Sequence, residues 1–131
     1  MKKIGFILLA LVLSTGFIMA QDGSKAPKAV FAKDAHDFGK VDESAGTVTC
    51  EFVFKNEGTA PLIVQRVQTT CGCTTPDYTK EPVLPGKTGS IKVTYSTTGR
   101  LGIFNKEITV FTNVSDSIYK VRIKGEVIRK R

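Results

Sequence analysis

From Thr47 to Lys55 the chain alternates: Val48, Cys50, Phe52 and Phe54 point one way, and Thr47, Thr49, Glu51 and Lys55 the other. A period of two puts successive side chains on opposite faces of a strand, so this stretch has one dry face and one wet face. The same pattern recurs, with turn residues between the runs. Ala29 to Ala32 is a short first strand. Asp34 to Val41 continues extended, with Phe38-Gly39 marking a bend or bulge. Leu62 to Gln68 turns Leu62, Val64 and Val67 inward. Ser90 to Tyr95 does so with Ile91, Val93 and Tyr95. Ile103 to Thr112 buries Phe104, Ile108 and Val110. Ile118 to Ile128 buries Tyr119, Val121, Ile123 and Val127 and exposes Lys120, Arg122, Lys124 and Glu126.

About seven short one-sided strands in roughly 100 residues predict an all-β fold, an immunoglobulin-like antiparallel β-sandwich. One wet face per strand argues against a parallel sheet buried on both sides. A closed barrel is the alternative. The chain has no tryptophan and no cysteine pair spaced to cross the sandwich, unlike an antibody domain.

The first residues read as an export signal. Lys2 and Lys3 precede an apolar run from Ile4 to Phe17, and Ile18-Met19-Ala20 offers a cleavage site. The run is shorter than the ~20 residues of a spanning helix, and Gly16 interrupts it. The expected organisation is a signal peptide over 1–20, a flexible polar leader over 21–28 and one domain over 29–131. No cysteine precedes Cys50, so lipid attachment behind the signal is excluded, and no stable membrane insertion is expected after cleavage. The net charge of +7 falls by two with Lys2 and Lys3. That suits an acidic partner but is far from the footprint of a nucleic-acid-binding protein.

The least generic stretch runs from Thr69-Thr70-Cys71-Gly72-Cys73-Thr74 to Pro85-Gly86 and is expected as a loop. Leu84-Pro85-Gly86-Lys87 fits a type II turn, whose third residue needs a positive φ. Cys71 and Cys73 flank a glycine, so a local disulfide is geometrically open to them. An oxidising compartment would favour it. A packed strand end, a redox pair and a soft-metal pair for copper(I) are the other readings. Zinc would need four ligands, and only His36 offers a third. Cys50 lies mid-strand on the dry face. An antiparallel register across Asn56 to Pro61 leaves it ~13 Å or more from Cys71, beyond the ~7 Å a disulfide spans. It is expected as a buried free thiol.

The remaining candidates have plain readings. His36 is the single histidine, and without a nucleophile motif it reads as a solvated strand-end residue. Lys120, Arg122 and Lys124 form an outward basic stripe. Such a stripe keeps a sheet soluble, or contacts anionic polymers. Asn113-Val114-Ser115 matches a glycosylation acceptor and reads as a turn asparagine.

Taken in order, Asp37-Phe38-Gly39-Lys40-Val41, Phe54-Lys55-Asn56-Glu57-Gly58-Thr59-Ala60-Pro61-Leu62, Cys71-Gly72-Cys73-Thr74, Pro85-Gly86, Gly102-Ile103-Phe104-Asn105-Lys106 and Thr112-Asn113 resemble the bacterial secreted family called domain of unknown function 1573, common in Bacteroidetes. The resemblance runs from about Val30 to Val127. It implies an immunoglobulin-like sandwich and a periplasmic or extracellular location, and it supplies no mechanism. Cys71 and Cys73 fall on the family's paired cysteines, and Cys50 lies outside its pattern. The function expected is a secreted or periplasmic, non-enzymatic binding or structural module of the cell envelope. Its partner would be an unknown protein or an anionic envelope polymer, with no nucleic acid and no cofactor. The alternative is a thiol-redox or copper-handling protein using Cys71 and Cys73. Alkylation followed by mass spectrometry, with and without reductant, checks the cysteines. One free thiol at Cys50 is expected, and a Cys50–Cys71 bridge would overturn the strand register.

Overall fold

The computed structural model describes residues 25–115 and 117–129. The signal segment 1–20, the first leader residues 21–24 and the C-terminal 130–131 lie outside the described residues. Eight strands follow in order: β1 Ala29–Phe31, β2 Ala35–Asp42, β3 Thr47–Asn56, β4 Val64–Thr69, β5 Thr74–Tyr78, β6 Thr88–Ser96, β7 Gly102–Thr112 and β8 Ile118–Ile128. They form two sheets of four, in the orders β1-β3-β6-β5 and β2-β8-β7-β4. This is the strand order of an immunoglobulin-type sandwich.

The core follows from the alternation. Phe52, Phe54, Ile91 and Val93 from the first sheet, and Ile108, Val110, Val121 and Ile123 from the second, are almost wholly buried. Each such side chain contributes roughly 1.5–3 kcal/mol by leaving water. Aromatic contacts tie the sheets together. Tyr95 of β6 stacks on Phe104 of β7 with ring centroids 4.0 Å apart, and Phe31 of β1 packs on Tyr119 of β8 at 5.8 Å.

Two features of the strands depart from the sequence expectation. The pairing is not uniformly antiparallel: β2 runs parallel to β8. The chain from Ala29 to Asp42 changes partner sheet through bends at Ala32 and Asp34. Ala32 N–H donates to Val53 in the first sheet, and Asp34 C=O accepts from Arg122 in the second. A run that reads as two strands separated by charged residues therefore edges both sheets. The bend expected at Phe38-Gly39 is a register shift between Asp37 and Lys40, with Gly39 at φ 69°. The second departure is β5, inside the stretch expected as loop. Pro76 and the lack of apolar alternation hide it in sequence. Sheet edges tolerate proline, and β5 is an edge.

One buried side chain joins the segments at the end of the sandwich away from the cysteine pair. Asn56, fully buried, accepts at Oδ1 from Lys28 N–H (3.2 Å) and Gly58 N–H (2.9 Å). Its Nδ2 donates to Ala60 O and Val83 O, each at 2.8 Å. Its backbone N–H donates to Lys87 O, and its C=O accepts from Gly86 N–H. The Leu84–Lys87 turn closes by Lys87 N–H to Leu84 O, with Gly86 at φ 84°. Residues Ala26 to Lys28, read from sequence as flexible leader, are tied in by the same network. Thr59 N–H donates to Ala26 O and Glu57 N–H to Lys28 O. The approach is so close that a Cβ at Gly58 would lie within the contact distance of Ala26 O and Lys28 N.

Asn56→Ala strands four backbone groups in or near the core. At about 1–3 kcal/mol for each such group, partly recovered by water, the expected loss is about 3–5 kcal/mol. Urea unfolding at 25 °C reads it, and a loss under about 1 kcal/mol would show that water replaces the amide.

Candidate functional site

The cysteine pair sits at a corner of the sandwich. β4 ends at Thr69 in the second sheet and β5 begins at Thr74 in the first, so residues 70–73 carry the chain between sheets. Packed sheets lie about 10 Å apart, whereas five Cα steps reach up to ~17 Å, and the Cys71–Thr74 turn takes up the difference. Cys71 and Cys73 are joined in a disulfide within that corner, with Cα atoms 5.1 Å apart. Thr74 N–H donates to Cys71 O, and Ser96 N–H donates to Cys73 O. Cys73 N–H points at Cys71 Sγ, at 3.1 Å. The Thr69 hydroxyl lies 3.2 Å from Cys71 O. Cys73 is 3% exposed and belongs to the core, whereas Cys71 is half-buried at its border. Gly72 is exposed, has no positive φ, and would accept a Cβ without contact. Sterics at position 72 do not require glycine. Thr74 is buried, its hydroxyl 3.7 Å from Cys73 Sγ. Pro85 and Gly86 sit at the opposite end, in the turn that Asn56 holds.

Cys50 is free and buried on β3, opposite Val93. Burial pushes its thiol up to about 11, with Lys33 pulling weakly the other way. A thiol held protonated inside a core is a poor nucleophile and a poor metal ligand.

His36 is level with Ile123 on β2. Lys33 Nζ lies 3.0 Å from its Nδ1. An ammonium only donates, so Nδ1 accepts and the ring proton sits on Nε2. Desolvation first, then the Lys33 charge, lowers its pKa against the opposing pull of Asp37. Among the described residues, no three His, Cys, Asp or Glu side chains come together as a metal site would need.

The basic stripe is partly neutralised. Lys120 and Arg122 converge on Glu107 at 3.6 and 2.9 Å, and Arg122 also donates to Asn105. Asn113 is a structural turn residue. Its side chain accepts from Ile63 N–H and donates to Pro61 O.

The β5 edge has an unexpected property. Cys73 pairs with Ser96 and Thr79 with Ser90 by hydrogen bonds toward β6. By antiparallel alternation Thr75 and Asp77 also face β6, and Thr74, Pro76 and Tyr78 turn their backbone groups outward. Of these outward positions, Thr74 N–H is held by Cys71 O, Pro76 has none, and Tyr78 N–H is held by the Asp77 carboxylate. The edge offers no free donor to an incoming strand, which is how sheets avoid edge-to-edge association.

Sequence reasoning missed Asn56, Gly58 and Pro76. Asn56 carried a readable signal: it continues the inward phase of Cys50, Phe52 and Phe54. Gly58 and Pro76 act through segments distant in the chain and carried none.

Among the described residues no helix is long and apolar enough to cross a membrane. Residues 29–127 match the model of a family described as protein of unknown function (DUF1573). The sequence matches no curated protein. Among solved structures it is similar to a protein of unknown function from Porphyromonas gingivalis W83, with TM-score 0.68, 15% identity, and 82% of this chain against 50% of that one. It is also similar to part of the Vibrio cholerae VesB protease, with TM-score 0.58, 12% identity, and coverages of 77% and 32%. A third is a family 123 glycoside hydrolase from Clostridium perfringens, with TM-score 0.51, 12% identity, and coverages of 80% and 27%. The chain thus spans half or less of these proteins, and at such identities the likeness is one of fold.

The Cys50 environment makes a pH prediction. The folded thiol keeps its proton to about pH 11, whereas an unperturbed thiol loses it near 9.0. Its contribution to stability is intact below pH 9 and is lost as pH climbs toward 11, because only the unfolded state ionises there. The urea midpoint should fall between pH 8 and pH 10.5 more steeply in the wild type than in Cys50→Ala. Equal slopes would sink the assignment.

Proposed function

The chain belongs to the DUF1573 family, and from that premise and its fold we propose that it is a non-enzymatic binding or structural module of the bacterial cell envelope. In this reading the signal segment exports it to the periplasm or the exterior, and the protein binds through its loops and sheet faces. The observation that carries the proposal is where the disulfide lies. Cys73 is packed in the core and its carbonyl is spent on Ser96 N–H. The bridge therefore braces the step between sheets, and only Cys71 borders solvent. A disulfide in that role suits an oxidising compartment. The closed β5 edge favours loops and faces over strand addition at that edge. Similar folds occur as portions of longer chains, the VesB protease among them, in keeping with a modular use.

The second reading, thiol exchange or copper handling by Cys71 and Cys73, is favoured by the partial exposure of Cys71. An insulin-reduction assay separates the two. Wild type and Cys71→Ser should both match the blank. Turnover by the wild type that is lost in Cys71→Ser would overturn the proposal in favour of redox chemistry. A bracing bridge also has a measurable stability role. A ring this small confers only about 1–2 kcal/mol, so the double variant Cys71→Ser/Cys73→Ser should melt about 5–10 °C lower. An unchanged Tm would remove the structural role.

A further inference from the structure

The outer face of the second sheet carries six side chains in two adjacent rows. Asp37 of β2, Lys124 of β8 and Asn105 of β7 are level in one row. Lys40, Glu126 and Ile103 are level in the next. Between the rows lies a shallow hollow whose floor includes Gly39, Phe104 and Gly125. Gly39 leaves the floor open, because nothing lies within 4 Å of where its side chain would be. A Cβ at Gly125 would run into the Phe104 ring and Gly39 O.

Two features of this patch are unmatched among the described residues. Ile103 is 84% exposed, the most of any large apolar side chain among the described residues. Asp37, Lys40, Lys124 and Glu126 make no ion pair with another described residue, although Asp37 accepts from Gly39 N–H. Further along the same face Lys120 and Arg122 are matched to Glu107 within the chain.

The charge pattern matches itself. Reading across β2 and β8, one row is negative then positive, and the next is positive then negative. Place a second copy face to face, with a two-fold axis lying across the strands over the hollow. The half-turn exchanges the rows. Asp37 then faces the partner's Lys40, and Lys124 faces the partner's Glu126. Ile103 comes over the partner's Asn105 at the border of the hollow, and both Ile103 side chains leave water. No like charges of these four oppose each other.

We propose that this face is a homodimer interface of isologous type, built on these two rows. A closed two-fold contact uses one patch twice, so a self-matching pattern is what it requires. β2, β8 and β7, the strands that reach this axis, carry 8, 11 and 11 residues; at about 4.8 Å between strands and ~3.3 Å per residue they present roughly 480 Å², below the ~800 Å² per partner of a standard interface and in the range of weak ones. With few apolar anchors the dissociation constant is expected in about the micromolar range. The inference does not depend on the envelope role.

Sedimentation velocity of the purified protein from about 1 µM to about 1 mM tests it. The wild type should pass from monomer to dimer. Lys124→Glu and Glu126→Lys each set like charges opposite one another twice per dimer, and each should weaken association at least tenfold. An equimolar mixture of the two variants should dimerise again, because each then meets its opposite. That recovery also shows that both variants are folded. Ile103→Ser should weaken association without changing the melting temperature. A wild type that stays monomeric to about 1 mM overturns the proposal. So does a dimer indifferent to both charge reversals, or a mixture that fails to associate.

Discussion

The side-chain amide of Asn56 is the interaction on which one whole end of the sandwich depends. An amide has two donors and an acceptor with two lone pairs, and here all are used, on Lys28, Gly58, Ala60 and Val83. These belong to the entering chain, to the turn after β3 and to the segment before β6. None could form a regular ladder with the others. Burying a polar group is costly unless it is fully bonded, and a fully bonded one admits few alternative arrangements. The same residue's backbone holds the Pro85-Gly86 turn. One strand-end residue therefore fixes where three loops lie, and Gly58 is glycine because the entering chain passes against it.

The other constraint is the management of sheet edges. A two-sheet sandwich has four edges, and each is a template for unwanted pairing. On one side a single run, β1 into β2, edges both sheets, and the Tyr119 hydroxyl accepts from Ala29 N–H across the gap. On the other side β4 steps into β5 through the disulfide corner, and the Tyr78 hydroxyl reaches Gln65 O. With the outward donors of β5 silenced, the molecule has spent its special residues on closing itself. What it leaves unmatched lies on a face, around Ile103.

The three cysteines show how place decides chemistry. Cys50 and Cys73 are both core side chains, yet one is a protonated thiol among apolar neighbours and the other is half of a bridge. The difference is distance alone. Cys50 lies on β3 in the first sheet, level with Val93. Cys73 has its partner two residues away, in a turn closed by Thr74 N–H to Cys71 O.

Much of the fold was legible in the sequence because the signals are local. Alternation along β3, β6, β7 and β8 identified their buried faces residue by residue, since burial of a period-two strand follows from its own side chains. The type II turn was readable because proline and glycine set φ by themselves. Hydrogen-bond partners were not readable. Nothing in Lys33-Asp34 says that the run changes sheets, and Pro76 argued against a strand that exists because its outer side has no neighbour to satisfy. Asn56 looked like a turn residue, since its four partners lie up to 28 residues away. For β3, β6, β7 and β8 the sequence by itself determined which residues are strand and which way they face, through the stereochemistry of adjacent residues. The tertiary structure alone decided which strands pair, which edges close and which charges stand in facing rows. Those depend on register between segments far apart in the chain, and no short stretch encodes it.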